Sequence, residues 1–124
     1  MKAIFIILAG SGLGGVARYG LQLLAFRLYP IRFPLGTFVV NLIGCFLIGL
    51  FFSLAERAGA ISQEIKLFLI TGFCGGFTTF STFSVDGLTL LKSGAMVYFM
   101  LYTVGSVVAG LLMTWLGMQV IKAG

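Results

Sequence analysis

Histidine is absent from this chain of 124 residues, and aspartate and glutamate together number only three. With no imidazole, the usual near-neutral proton carrier and the commonest metal ligand are both missing. No carboxylate pair, Ser/Lys or Ser/His couple or metal cluster falls in the apolar segments, so catalysis has little to work with. Charged residues make up 9% of the chain, against about 25% in a soluble domain. The two cysteines, Cys45 and Cys74, both lie in apolar runs. There they read as small hydrophobes, not as a disulfide or a metal pair. No acidic residue precedes Glu56, which disfavours a proton-coupled multidrug exporter of similar size, a class that needs an early carboxylate within the membrane. The glycines between Gly72 and Gly76 are not followed by lysine, so they do not form a phosphate-binding loop.

What is present is apolar. The chain is 60% hydrophobic, with a mean hydropathy of +1.14. At about 20 residues per membrane-spanning helix, four spans and their loops use the whole length. The expectation is a single all-α transmembrane domain over residues 1–124, with four helices and no separate soluble domain. The first apolar run continues past signal-peptide length without a small-residue cleavage site, so it is expected to stay. The segments fall at about Ala3–Phe26, Leu35–Ala55, Ile65–Leu91 and Ala95–Ile121. Glycines at 10, 12, 14 and 15 give the first a face open to close approach by another backbone.

The third segment is organised around Thr71–Ser84, TGFCGGFTTFSTFS. In lipid an unpaired backbone group costs several kcal/mol, so irregular backbone survives only inside protein or beside water. A Gly/Thr/Ser/Phe interruption in mid-span therefore marks a candidate site. Leu67–Ile70 are expected to approach it as ordinary helix.

Charge says something about assembly. Lys2, Arg57, Lys66 and Lys122 fall on the side of the termini, and Arg18, Arg27, Arg32 and Lys92 on the other. An even count gives the positive-inside rule no preference. Insertion in both orientations follows, and with it an antiparallel homodimer about a two-fold axis in the membrane plane. The net charge of +5 is scattered over loop ends, a pattern for lipid headgroups and not for nucleic acid.

The polar residues in the spans allow more than one role. Arg18 either snorkels to the interface or serves an anion's vestibule. Asn41 is either interhelical glue, worth about 0.6 kcal/mol, or a donor facing a pore. Tyr102, Ser106 and Gly110 share one helical face, where hydroxyls can also bond to carbonyls of their own helix. The amide of Asn41 and the hydroxyls of Thr79, Ser81, Thr82, Ser84, Tyr102 and Ser106 are neutral donors, which suit a small hydrated anion that must also leave. Phe80 and Phe83 are one turn apart; they either pack or offer the positive edges of their rings. Carbonyls freed by the broken helix can ligate a cation. A transporter coupling an anion to protons through Asp86, and a membrane scaffold, remain open as alternatives.

The motifs GGVARYG (Gly14–Gly20), GTFVVNLIGCFLIG (Gly36–Gly49) and GFCGGFTTFSTFS (Gly72–Ser84) resemble those of the Fluc, or CrcB, fluoride channels. The resemblance covers essentially the whole chain in length, span count and motif order. It implies a dual-topology antiparallel homodimer with two pores, in a bacterial inner membrane, that exports fluoride passively and protects the cell from it. Position by position, it implies Asn41 as a pore donor and Phe80 and Phe83 as an aromatic box. Thr37, Ser81, Thr82, Tyr102 and Ser106 would form a polar track, with Arg18 as the vestibule arginine. Gly75 and Thr78 would lend backbone carbonyls from each subunit to a structural sodium ion at the dimer centre. Gly110 departs from the pattern, which has a second serine there in many members.

Overall fold

A computed structural model describes residues 1–57 and 59–123, in which helix is the only regular structure. The elements are α1 (Lys2–Leu28), α2 (Leu35–Glu56), α3 (63–77), α4 (Phe80–Lys92) and α5 (Met96–Ala123). Helices α3 and α4 belong to one apolar run. Four stretches are thus long and apolar enough to cross a membrane: Lys2–Leu28, Leu35–Glu56, Gln63–Lys92 and Met96–Lys122. They match the expected segments to within a few residues at each end.

Local chemistry sets the ends. Helix α1 stops before Pro30, which has no N–H to continue the ladder, and the Tyr29 N–H closes the last turn on Ala25 O at 2.9 Å. Pro34, at φ −76° and ψ 71°, is the centre of an inverse γ-turn, closed by the Leu35 N–H on Phe33 O at 2.7 Å. Ser62 caps α3 by accepting from the Ile65 N–H at 3.3 Å. Helix α4 ends in a Schellman motif. Gly94 takes φ 81°, and the Ala95 and Gly94 amides donate back to Leu90 O and Leu91 O at 3.0 and 3.2 Å.

Helix α3 departs from expectation in two ways. Leu67–Cys74 is wound as a π-helix, not as the ordinary helix expected for Leu67–Ile70, and only Gln63–Lys66 and Gly75–Phe77 are α-helical. The π winding coincides with the tightest approach of α1, where a Cβ on Gly10 would meet the Phe68 carbonyl and one on Gly14 the Phe73 carbonyl. Such windings are rare and concentrate at functional sites. The interruption is also narrower than the sequence indicates. Of Thr71–Ser84 only Thr78 (φ −92°, ψ 155°) and Thr79 (φ −151°, ψ 124°) leave the helix, midway along the run.

Helix α1 lies mainly on α3 and α2 on α5; contacts between α1 and α2 join the pairs, and α4 rests on α5. The core is small, with Val40, Cys74, Phe77, Leu90 and Tyr102 buried. Many large apolar side chains, among them Phe5, Leu13, Val16, Val107, Leu111 and Trp115, are more than half exposed. An apolar exterior around glycine-lined contacts is what lipid as solvent requires, since lipid gives helices no hydrophobic reason to associate.

Candidate functional site

The extended backbone at Thr78 and Thr79 removes α-helical partners from the carbonyls just before it and the amides just after it. Most find new ones. The Thr79 N–H donates to Asn41 Oδ1 at 3.3 Å. The Thr82 N–H donates to Thr79 Oγ1 at 3.3 Å, an N-cap that restarts the helix as α4. From α1, the Arg18 Nε–H donates to the Gly76 carbonyl at 3.2 Å. The Thr78 N–H and hydroxyl both donate to Cys74 O, at 3.0 and 2.8 Å. Among the described residues no donor reaches the carbonyls of Gly75 and Thr78. The break therefore leaves hard oxygen acceptors, those of Gly75 and Thr78 among them, the donor type that suits a hard alkali cation. The described residues hold no cluster of His, Cys, Asp or Glu suited to a metal ion.

The bond to Thr79 also settles which way Asn41 points. A backbone N–H can only donate, so the amide oxygen faces Thr79 and the NH2 group remains as a free pair of donors. Asn41 opens onto a groove of about 480 Å³, lined also by Gly75, Thr78, Thr79, Phe80, Phe83 and Ser106. The Phe80 and Phe83 rings stand 5.8 Å apart at 42°, with Phe80 largely exposed at 79%. Ser106 Oγ is buried without a hydrogen-bond partner, a spare hydroxyl beside the phenylalanines. Helix α2 can reach the break because residue 44 is glycine, where a Cβ would run into the Thr78 methyl group. At the departure noted in the sequence, a Cβ on Gly110 would lie 3.3 Å from Cys45 Sγ. Cys45 occupies the space a serine would need.

A second cavity of about 300 Å³ is polar. It is lined by Gln22, Arg32, Phe33, Thr37, Thr82 and Asp86 among others. Gln22 Nε2 donates to Thr37 Oγ1 at 3.1 Å, and the Tyr102 hydroxyl donates to Asp86 Oδ2 at 3.3 Å. Phe83 lines the groove, and its ring lies 5.0 Å from that of Tyr102, whose hydroxyl reaches Asp86 on the polar cavity. The alternative that span hydroxyls bond to their own helix holds for Thr103, which donates to Phe99 O at 2.7 Å, but not for Tyr102 or Ser106.

The residues singled out from the sequence are thus divided. Asn41, Gly75, Thr78, Phe80, Phe83 and Ser106 share the groove, and Thr37 and Thr82 line the polar cavity. Arg18, Ser81 and Tyr102 line neither; Arg18 sits at the break, Ser81 Oγ lies 3.1 Å from Thr79 Oγ1, and the Tyr102 hydroxyl reaches Asp86 at the edge of the polar cavity. Sequence reasoning passed over Gln22 and Phe33. Gln22 carried a usable signal, an amide one helical turn beyond Arg18, but Phe33 in an interfacial connection carried none.

Comparison with known proteins places this architecture. Residues 5–118 match the family model described as CrcB-like protein, Camphor Resistance (CrcB). The chain belongs to the CrcB family. It is similar to a protein of Flavobacterium psychrophilum named fluoride-specific ion channel FluC, with 48% identity over 98% of each chain. A protein of the same name from Phocaeicola vulgatus is 50% identical over 94% of this chain and 96% of its own. One from Methylobacillus flagellatus is 42% identical over 98% and 96%. As a CrcB-family member with four candidate spans, the chain is a multi-pass membrane protein.

Proposed function

We propose that this chain is a fluoride-selective channel, not an enzyme, which lets fluoride leave the cell passively across a bacterial inner membrane and so protects it from fluoride. The observation that carries the proposal is the near full-length similarity to proteins named fluoride-specific ion channels. The chemistry agrees with it. The Asn41 donors, the spare Ser106 hydroxyl and the rings of Phe80 and Phe83 offer a small anion neutral ligands, and a partner closing the groove would exclude bulk water. Thr37, Ser81, Thr82 and Tyr102 extend the polar path, and Arg18 holds the break carbonyl while raising the local potential for an anion.

The break at Thr78–Thr79 lies at mid-membrane in this proposal. Two chains pack antiparallel, in dual topology, with the grooves completed by the partner. The nearly even basic count and the open groove support this, because one four-helix chain is too thin to enclose a path. The unpartnered carbonyls of Gly75 and Thr78 fit a sodium ion at the dimer centre, which takes oxygens from both subunits. Liposomes holding the purified protein test the function. Rapid fluoride efflux without comparable chloride efflux, and without dependence on a pH gradient, is expected. Equal passage of both anions would refute selectivity, and a requirement for a proton gradient would point instead to transport coupled through Asp86.

A further inference from the structure

We propose that Phe33, in the connection between α1 and α2, is a positioning residue for Tyr102, so that an interfacial strap aims a hydroxyl of the membrane interior. As far as its readout is conduction, this rests on the channel function proposed above. The strap is tied at several points. The Ile31 N–H bonds to Tyr29 O at 2.8 Å and the Leu35 N–H to Phe33 O at 2.7 Å, each turning the chain within three residues. Arg32 Nη2 donates to Ser93 O at 3.2 Å, fastening the strap to the end of α4, the helix that carries Asp86. Between these ties the Phe33 ring enters an aromatic cluster. It stands edge-on to Phe38 (5.5 Å, 73°), Tyr98 (6.2 Å, 76°) and Tyr102 (5.5 Å, 88°). Edge-to-face contact at these separations is the favoured aromatic geometry.

Tyr102 depends on such packing. It is fully buried, yet its hydroxyl bond to Asp86 is 3.3 Å long, well beyond the usual 2.7–2.8 Å of an O–H···O bond. A bond that long holds a ring weakly. Two aromatic rings flank Tyr102 apart from this bond, Phe83 at 5.0 Å and Phe33 at 5.5 Å. Phe83 lines the groove, whereas Phe33 lines the polar cavity. Without the Phe33 ring, Tyr102 gains space toward that cavity, and its hydroxyl loses a fixed direction.

The test compares Phe33→Leu and Phe33→Tyr with the parent, each also in a Tyr102→Phe background, by fluoride efflux from liposomes. In parallel, 3-fluorotyrosine is placed at position 102 and read by ¹⁹F NMR. Phe33→Leu is expected to slow efflux about threefold to tenfold, the scale of one lost aromatic pair, while Phe33→Tyr, which keeps the ring, stays near the parent rate. In the Tyr102→Phe background Phe33→Leu is expected to cost nothing further, because the hydroxyl it aims is gone. The ¹⁹F resonance is expected to broaden or split in Phe33→Leu and not in Phe33→Tyr. An equal loss in both backgrounds would overturn the proposal, as would an unchanged resonance in Phe33→Leu. If the parent passes no fluoride, the channel function fails, and the ¹⁹F measurement alone decides the role of Phe33.

Discussion

Asn41 is read two ways from sequence, and the structure gives each reading an atom. Its oxygen ties α2 to the break by accepting from the Thr79 N–H at 3.3 Å. Its NH2 group takes no partner among the described residues and is left for an anion. Asn41→Asp keeps an acceptor for Thr79, so the fold is expected to survive, but it puts a negative oxygen where the donors were. Two like charges about 4 Å apart at an effective dielectric near 20 repel by about 4 kcal/mol, on the order of a thousandfold in rate. The expected result is a protein that elutes with the parent by size exclusion and passes almost no fluoride. Efflux near the parent rate would reduce Asn41 to a structural residue. Asn41→Ala separates the two roles, because it also orphans the Thr79 N–H, at about 1–3 kcal/mol of stability.

At the scale of elements, α2 packs closely on α5, and glycine makes their contact possible. A Cβ on Gly117 would fall on the Phe46 carbonyl, backbone against backbone, with no flexible side chain to give way. Gly117→Ala is therefore expected to destabilise the protein by about 1–3 kcal/mol, as overpacking does. The midpoint of unfolding in detergent checks this; an unchanged midpoint would mean that the helices slide apart at little cost. The broken run α3–α4 carries the second expectation at this scale. A cation, proposed as sodium, should appear between the Gly75 and Thr78 carbonyls of two subunits in a high-resolution structure of the assembled protein. Empty space there, or donors from the partner on those oxygens, would remove the cation.

For the whole molecule the test is topology. With Arg18 held at the break, four basic residues on the side of the termini face three on the other, which leaves insertion close to balanced, so a small addition should tip it. Two or three lysines placed in the Glu56–Glu64 loop are expected to fix the termini in the cytoplasm. Fluoride efflux should then collapse, and return when a variant biased the opposite way is co-expressed. Full efflux from the single-orientation variant would rule out antiparallel assembly.

Much was decided by sequence. Composition and the length of apolar runs set the four spans, because a bilayer of fixed thickness reads hydropathy almost directly. The GFCGGFTTFSTFS motif also located the interruption within a few residues, since so dense a run of glycine and hydroxyl side chains offers local alternatives to helical bonding. Tertiary structure decided what each polar group does. It narrowed the break to Thr78 and Thr79, wound Leu67–Cys74 into a π-helix, sent Arg18 to the Gly76 carbonyl and brought Gln22 to Thr37. Of these only Gln22, one turn beyond Arg18, left a signal in the chain. A hydrogen bond between residues 58 positions apart, as in Arg18 to Gly76, depends on where α1 crosses α3. That crossing is set by which glycines let two backbones touch, and it leaves no local periodicity to read.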